Sequence, residues 1–308
     1  MHTILNQTLL KKRLAAAVFS LASITLVTPL LAVPLQLPPV RSPVSQEHHL
    51  GKPIFFELVT PDLVAAKQFY AALFGWTFRD IKADGVQYAE ASLNGRAVAG
   101  MVHKDLAASQ QLQSAWLSFI SVGDVDSAKK VAIQHGAKVL FVPHSIPNRG
   151  REAVLSDPQG AVFAVLASSS GDSPDILAES GEWIWSSLQT TDADTGAAFY
   201  QTLFDYEVFE ASGDDSEQHL ILASDGYARA SANTLPQNHP NTHPHWLNYI
   251  RVDDINKSIK ILQVLGEHVL LTPRADRHGG NVAVVSDTSG APFGLLEWTE
   301  ADSKEISK

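Results

Sequence analysis

Apolar and polar residues alternate along "IFFELVT" (54–60), the pattern of a half-buried β-strand. A helix is predicted next, because apolar residues recur at helical spacing between Asp62, a good N-cap, and Gly75, a good stop. Its buried stripe is expected to consist of Ala66, Phe69, Tyr70 and Leu73. Three short strands separated by turns follow, at 77–81, 86–93 and 97–103.

The same order of elements returns after residue 115. A strand at 116–122 leads into a helix at 124–136, and three more strands follow at 138–143, 151–156 and 161–167. The sequence therefore predicts a βαβββ unit that occurs twice in residues 52–168.

The whole of this pattern is repeated once more, displaced by 192 − 62 = 130 residues. "DLVAAKQFYAALFGWTF" from Asp62 has a degraded copy, "DADTGAAFYQTLFDYEVF", from Asp192. Residues 116–166 and 246–296 share 19 identities in 51 ungapped positions. Two copies of one module are predicted, at 52–168 and 182–299, joined by a linker at 169–181 and followed by a polar tail at 300–308.

Composition restricts the partners. The chain of 308 residues has 45% hydrophobic and 18% charged residues, as folded globular proteins do. Its net charge of −10 argues against nucleic acid or an anionic membrane surface as the main partner. The absence of cysteine excludes disulfides, thiolate metal sites and a thiol nucleophile.

The first residues predict export. The basic run Lys11, Lys12 and Arg13 precedes an apolar stretch of about 20 residues that ends near Ala32, as in a secretory signal. Residues 1–33 are thus expected to be a signal peptide of a periplasmic or secreted protein, or an uncleaved inner-membrane anchor. The Pro-rich residues 34–51 are expected to be a linker to the folded part.

The repeated helix, the "V-x-D-V-D" helix start and "LSDPQGAVFAVL" at the end of the module resemble the vicinal oxygen chelate superfamily, the glyoxalase, bleomycin-resistance and extradiol-dioxygenase group. The resemblance covers nearly everything from Pro53 to Trp298. It implies an α+β fold of four βαβββ units in two tandem modules, each a curved mixed-sheet cup with helices outside. The chemistry of that superfamily takes place inside the cup, and many of its members hold a divalent metal there.

The metal-ligand positions implied by the resemblance carry no donor side chain in this sequence. They fall on Phe55, Leu117, Ala164, Trp185, Leu247 and Gly294. Metals of this kind are bound through imidazole and carboxylate groups. We therefore expect no cofactor in either cup, unless a metal uses displaced ligands such as Glu57 and His103.

Glu57 is the strongest candidate for chemistry. By two-residue alternation it shares a face with Phe55 and is expected to point into cup one, where burial would raise its pKa toward that of a general base. The alternative is a structural Glu57 that hydrogen-bonds to Trp116 or a neighbouring strand. The corresponding residue in the second module is Ser187, so the two cups are not equivalent.

The remaining candidates are expected to bind a ligand rather than to catalyse. His103 is placed either in cup one or at its exposed rim, and Arg151, with His144 and Arg149, flanks a loop at the cup mouth that could pair a carboxylate. Other expected lining residues are Leu117 and Phe119 in cup one and Trp185, Ser187, Tyr249 and Arg251 in cup two. The histidines in "NHPNTHPHW" (His239, His243 and His245) are interpreted as an exposed loop with adventitious metal affinity.

Three functions stay open on the sequence. The first is an exported protein that binds a small organic molecule in its cups without a metal. The second is a glyoxalase-like lyase or isomerase that uses Glu57 as general base or a metal at non-standard ligands. The third is a non-catalytic interaction scaffold. The sequence also leaves open whether the chain forms a homodimer.

Overall fold

A computed structural model describes residues 36–83, 85–105, 114–211, 219–235, 243–266, 268–275 and 280–298. Predictions for the signal or anchor segment, for the polar tail and for His239 fall outside these residues. No helix within the described ranges is long and apolar enough to cross a membrane.

The first module contains two helices and eight strands. They are β1 (Pro53–Thr60), α1 (Leu63–Phe74), β2 (Thr77–Ala83), β3 (Val86–Leu93), β4 (Arg96–His103), β5 (Ala115–Ser121), α2 (Val125–Gln134), β6 (Lys138–Ile146), β7 (Gly150–Ser156) and β8 (Val162–Ser168). The order is βαβββ twice, as the apolar pattern predicts.

The second module repeats this order. Its elements are β9 (Trp183–Thr190), α3 (Ala193–Phe204), β10 (Glu207–Glu210), β11 (His219–Ser224), β12 (Tyr227–Thr234), β13 (His245–Val252), α4 (Ile255–Leu265), β14 (Val269–Ala275), β15 (Asn281–Ser286) and β16 (Pro292–Glu297).

Each module forms one mixed eight-stranded sheet. The strand order is β2-β3-β4-β1-β5-β8-β7-β6 in the first sheet and β10-β11-β12-β9-β13-β16-β15-β14 in the second. β1 runs parallel to β4 and antiparallel to β5, so the two βαβββ units of a module join through their first strands. The predicted α+β fold of two tandem modules is confirmed, and each cup is formed within one half of the chain.

The helices begin where an aspartate caps them. Asp62 accepts a hydrogen bond from the Ala65 amide at 2.9 Å, and Asp124, Asp192 and Asp254 cap α2, α3 and α4 in the same way. α1 ends at Gly75, whose φ of +73° is readily adopted only by a residue without a Cβ.

The hydrophobic core lies between the two modules. α1 packs with α4 in a cluster that includes Phe56 and Leu58 from the first sheet and Phe293 and Leu295 from the second. α2 and α3 form the matching cluster with Phe163 and Leu188, among others. The helices therefore pack against one face of each sheet, and the opposite face of each sheet is free to form a cup.

Two reciprocal hydrogen-bonded triads connect the modules across this core. Tyr70 on α1 accepts from the Trp116 indole at 2.7 Å and donates to Asp287 of the second module at 3.2 Å. Tyr200 on α3 likewise accepts from Trp246 at 2.9 Å and donates to Asp157 of the first module at 3.1 Å. The triads use the residues that the 130-residue repeat keeps identical, so those identities maintain the contact between modules.

The described part of the predicted linker at 34–51 is not a free tether, which corrects that expectation. Leu37 is 5% and Val40 is 8% exposed, and both pack against residues of the first sheet. Arg41 donates to Ser45 and to the Asp172 carbonyl oxygen, at 2.9 and 3.0 Å. Apolar side chains placed between prolines make this segment bury itself where a Gly/Ser linker would remain solvated.

Candidate functional site

Cup one is the concave face of the first sheet, and β1 contributes its central residues. Phe56 and Leu58 belong to the helix-packed core, so the alternate residues Phe55 and Glu57 face the cup. The pairing of Glu57 with Gly100 on β4 and Leu117 on β5 places it in the middle of the sheet. The predicted orientation of Glu57 agrees with this arrangement.

The lining of cup one is mainly apolar. Phe55 and Phe119 meet edge to face with ring centroids 5.6 Å apart. The cluster around them consists of Val40, Ile54, Ala164 and Leu166, with Leu117 and Val154 packed against it. Phe55, Leu117 and Phe119, which the sequence predicts as lining residues, therefore lie together in cup one.

Arg149 is the buried cation of this cup. Its residue surface is 2% exposed, and its guanidinium carbon lies 4.0 Å from the centroid of the Phe55 ring. Nε donates to the Pro38 carbonyl oxygen at 3.0 Å, and Nη2 donates to the Tyr88 hydroxyl at 3.3 Å. Stacking and directed hydrogen bonds together hold the planar guanidinium in one orientation.

Glu57 is a partly exposed acid in this apolar lining, and the Tyr88 hydroxyl is hydrogen-bonded to it. Burial raises the pKa of Glu57 from 4.5 to about 7, and the nearby Glu152 carboxyl raises it further, while Arg149 and Tyr88 act against the rise. A carboxyl with this pKa holds a proton part of the time near neutral pH. It can therefore donate or accept a hydrogen bond, or take up a proton.

Glu152 on β7 is the second acid of the cup. It alternates with Val154 of the cup lining and is 9% exposed. Burial raises its pKa to about 7, with Arg149 acting in the opposite direction. Its Oε1 lies 3.5 Å from Nε2 of His144 on β6, so the half-exposed imidazole lies at the mouth of the cup. The cup thus combines two acids, one fixed guanidinium and a tyrosine.

Residues 36–43, which we call the strap, pass over this cup. Leu37 clusters with Tyr88 and Ile146, and Val40 clusters with Phe55. The Pro38 carbonyl oxygen accepts a hydrogen bond from the Arg149 guanidinium. A ligand that reaches the bottom of cup one must share this space with the strap or displace it.

His103 and Arg151 lie elsewhere than in cup one. β1 pairs in parallel with β4 so that Gly100 and Val102 share the face of Glu57, and His103 falls on the opposite face with Met101. His103 is instead 3.4 Å from Asp105. Ala99 and Met101, which share the face of His103, pack in the core cluster with α1, and this keeps His103 out of the cup.

Arg151 points away from the cup toward α2. Its Nε donates to Asp126 in the first turn of that helix at 2.8 Å, and the side chain is 37% exposed. Arg149, two positions earlier, is the arginine that faces the ligand space. The predicted role of Arg151 as a cup residue is corrected accordingly.

Cup two contains a hydrogen-bond network of polar side chains, which His219 joins through its contact with Asn233. The Trp185 indole donates to Ser231 at 3.1 Å, Ser231 donates to Ser187 at 3.0 Å, and the Asn233 amide also donates to Ser187. Tyr249 lies against Gly294, where a Cβ would collide with its ring. Arg251 donates to the carbonyl oxygens of Trp298 and Ala178, at 3.1 and 2.7 Å. Its guanidinium is therefore hydrogen-bonded to the protein backbone.

The charged residues of cup one have no counterparts in cup two. A shift of 130 residues converts Glu57, Arg149 and Glu152 into Ser187, Gly279 and Val282. Because the folds of the two modules match, this difference lies in side chains alone. Cup one therefore has two acids and an arginine that cup two lacks.

The residues present do not fit the metal implied by the fold. At the six corresponding positions stand Phe55, Leu117, Ala164, Trp185, Leu247 and Gly294, whose side chains offer no metal-binding oxygen or imidazole nitrogen. Among the described residues, no three His, Asp or Glu side chains are grouped to hold an ion. Glu57 and His103 occupy opposite faces of the sheet, so they cannot share one either.

The described histidines of the "NHPNTHPHW" segment have a local role. Nδ1 of His245 lies 2.7 Å from the carbonyl oxygen of His243, and burial lowers the pKa of His245. This contact connects the ring to its own loop.

The sequence does not predict Tyr88 or Glu152 as residues of the cup. It groups Arg149 with His144 and Arg151, neither of which is buried beside Phe55 as Arg149 is. Glu152 alternates with Val154, a signal that the strand pattern "REAVLS" already contains. Nothing comparable marks Tyr88, whose contact with Glu57 depends on the pairing of β3 with β4 and of β4 with β1.

Comparison with known proteins supports the resemblance. Residues 48–165 match the Glyoxalase/Bleomycin resistance protein/Dioxygenase superfamily. CFP32 of Mycobacterium bovis, named as a candidate glyoxylase, is 29% identical over 257 residues, which cover 83% of this chain and 98% of CFP32. The anthracycline biosynthesis protein DauV of Streptomyces sp. strain C5 is 26% identical over 82% of this chain and 94% of its own.

Solved structures share the fold. The Mn(II)-bound glyoxalase of Novosphingobium aromaticivorans superposes with a TM-score of 0.57 at 17% identity, over 81% of this chain and 83% of that one. An extradiol ring-cleaving dioxygenase of Brevibacterium fuscum gives 0.58 at 13% identity, over 83% and 74% of the two chains. The first module therefore matches the Glyoxalase/Bleomycin resistance protein/Dioxygenase superfamily, and the second module repeats its sequence pattern and its strand order.

Proposed function

We propose that the protein binds a small organic molecule in cup one, without the metal of its superfamily. The observation that carries this proposal is the fixed Arg149 guanidinium, which lies on the Phe55 ring beside two acids of raised pKa. An apolar lining with a few convergent polar groups is typical of small-molecule sites. We further propose, from the N-terminal sequence, that this binding takes place outside the cytoplasm.

The strap indicates what the ligand contains. Its Pro38 carbonyl oxygen accepts from Arg149, and Leu37 and Val40 fill the apolar space on either side. A ligand that replaces the strap should therefore present a carbonyl or carboxylate oxygen to Arg149 and apolar groups to Phe55 and Tyr88. This class includes small carboxylates and aromatic drugs with a carbonyl group.

The proposal is tested by thermal-shift screening with small carboxylates, thiol adducts and aromatic drugs. A ligand present at 100 times its dissociation constant should stabilise the fold by about 2.7 kcal/mol. The screen is run on the wild-type chain and on a variant in which Leu37 and Val40 are both replaced by serine, because the strap competes for the cup. If no compound stabilises either protein, the binding proposal is wrong.

Arg149 and Arg151 form a matched pair for assigning any ligand to cup one. We expect Arg149→Met to weaken ligand binding about tenfold or more, because it removes a charge-assisted hydrogen bond in a desolvated site. Arg151→Met should leave the affinity unchanged, since that side chain pairs with Asp126 outside the cup. Isothermal titration calorimetry measures both, and equal losses would place the ligand elsewhere.

A second function is favoured by the Glu57 pKa of about 7. A general base works best when its pKa lies near the operating pH, so Glu57 is suited to remove a proton from a carbon next to a carbonyl group. Such a reaction would be a lyase or isomerase step of the glyoxalase-like type. The positive charge of the Arg149 guanidinium would stabilise the negative charge that develops on the carbonyl oxygen.

Glu57→Gln separates the two functions. For a bound carbonyl compound, we expect the variant to retain ligand affinity but to lose exchange of the α-proton with deuterated solvent by about 100-fold or more. Nuclear magnetic resonance follows the exchange directly. Glu90→Gln, which removes an acid paired with Arg79 on the neighbouring strand, is the matched control. Unchanged exchange in Glu57→Gln would leave binding as the function.

A further inference from the structure

A cleft of about 660 Å³ opens at the junction of the two modules. Its walls come from the first residues of β1, β4, β9 and β12, and residues 173–179 run across it. Glu57, Arg149 and Glu152 of cup one do not line it. Small-molecule sites have volumes of about 300 to 1,000 Å³, so the cleft is large enough for a ligand of its own.

The rim of the cleft exposes large apolar side chains. Ile176 is 76%, Leu177 45% and Tyr227 51% exposed, and all three line the opening. Inside it, Phe56 and Trp183 stack with ring centroids 4.6 Å apart. Apolar surface grouped in this way around a concave site is typical of a binding surface.

Arg229 is buried in the wall of this cleft with part of its guanidinium unpaired. Its side chain is 2% exposed, Nε donates to Ser224 at 3.0 Å, and Nη1 donates to Asp175 at 2.5 Å. Nη2 is buried without a hydrogen-bond partner, and the Asp225 carboxylate is 3.9 Å from it. An unpaired guanidinium nitrogen is costly to bury unless an acceptor can reach it.

The local charge favours an anion as that acceptor. Asp175 is shared between Arg229 and Lys52, whose ammonium group also donates to the Ser173 and Pro174 carbonyl oxygens, each at 2.8 Å. Four cations, Arg41, Lys52, Arg96 and Arg229, line the cleft together with three anions. Such a grouping of cations is uncommon on a chain that carries −10, and it lets an anion replace one of the carboxylates that pair with them.

We propose that this cleft is a second binding site, for an anion with a flat apolar body, such as an aromatic carboxylate or sulfonate. Arg229 pairs with the acid group next to Asp175. Tyr227, whose ring lies 5.1 Å from the Arg229 guanidinium carbon, contacts the flat body together with Leu177. The site uses none of the acids of cup one, although residues 40–43 of the strap form part of its wall.

Fluorescence titration with anilinonaphthalene sulfonate and with the uncharged phenylnaphthylamine tests this site. We expect the anionic probe to bind more tightly to the wild-type chain. Asp175→Asn should tighten anionic binding several-fold, because it removes the carboxylate that competes for Arg229. Arg229→Gln should weaken it about tenfold, and Tyr227→Ala should weaken both probes.

The variants are compared with Arg79→Gln and Arg151→Met, which each remove a cation that does not line the cleft. Neither should change probe binding. Probe that binds in cup one is identified by its loss in Arg149→Met, so a failure of cup one as a ligand site leaves the test of the cleft intact. Circular dichroism checks folding, and Asp175→Asn with Tyr227→Ala decides the matter if Arg229→Gln does not fold. Equal affinity for both probes, or anionic binding unchanged in Asp175→Asn and Tyr227→Ala, overturns the proposal.

Discussion

Replacing Asp157 by alanine should lower the free energy of unfolding by about 3 kcal/mol. The buried carboxylate accepts from the amides of Gln159, Gly160 and Ala161 at 2.7–2.9 Å through one oxygen. The other oxygen accepts from the Tyr200 hydroxyl of the second module at 3.1 Å. Alanine removes all four acceptor contacts at once and leaves the tyrosine hydroxyl without its carboxylate inside the core.

The control for this variant is Asp124→Ala at the start of α2. Asp124 caps the helix at an exposed position through a 2.7 Å contact with the Ser127 amide, so its loss should cost about 1 kcal/mol. Urea unfolding followed by circular dichroism measures both free energies. Similar losses for the two aspartates would show that Asp157 does no more than cap a turn.

Raising the pH from 4.5 to about 7 should destabilise the protein through its cup-one acids. In this range the carboxyl of Glu57 is ionised in the unfolded chain but still protonated in the folded one, because its folded pKa is about 7. The folded state then binds more protons, so the free energy of unfolding falls as pH rises, and it levels off above pH 7. A pKa raised from 4.5 to about 7 corresponds to a loss of about 3 kcal/mol.

Glu57→Gln isolates this effect. The amide does not titrate, so the stability difference between wild type and variant should shift in favour of the variant as the pH rises from 4.5 to 7. Urea unfolding at half-unit pH intervals gives the difference directly. A difference that stays flat, or that changes in the opposite direction, would mean that Glu57 is an ordinary solvated carboxylate.

The sequence predicts the fold well because its determinants are local and occur four times. Four aspartates cap four helices, and alternation along β1 places Phe55 and Glu57 on one face. Because of the duplication, each element is predicted from two segments of the sequence 130 residues apart. A weak pattern in one segment is supported by the clearer pattern in the other.

The site was less predictable because its members meet only through strand pairing. Alternation groups His103 with Met101 correctly but cannot say which face of the sheet the group takes. That choice depends on the pairing of Glu57 with Gly100, where the absence of a Cβ leaves room for Tyr88 and Phe55. Proline content likewise suggested a tether, whereas the burial of Leu37 and Val40 depends on a cup formed by strands far along the chain.

The reciprocal Tyr–Trp–Asp triads affect how the two halves can change. Each half supplies the aspartate that completes the other's triad, so the contact is symmetric even though the cups are not. Because one peptide chain holds the halves together, mutations inside one cup need not be matched in the other. This division explains how Glu57, Arg149 and Glu152 can be confined to the first half while the shared interface keeps its residues: one copy is free to specialise, and its twin continues to support it.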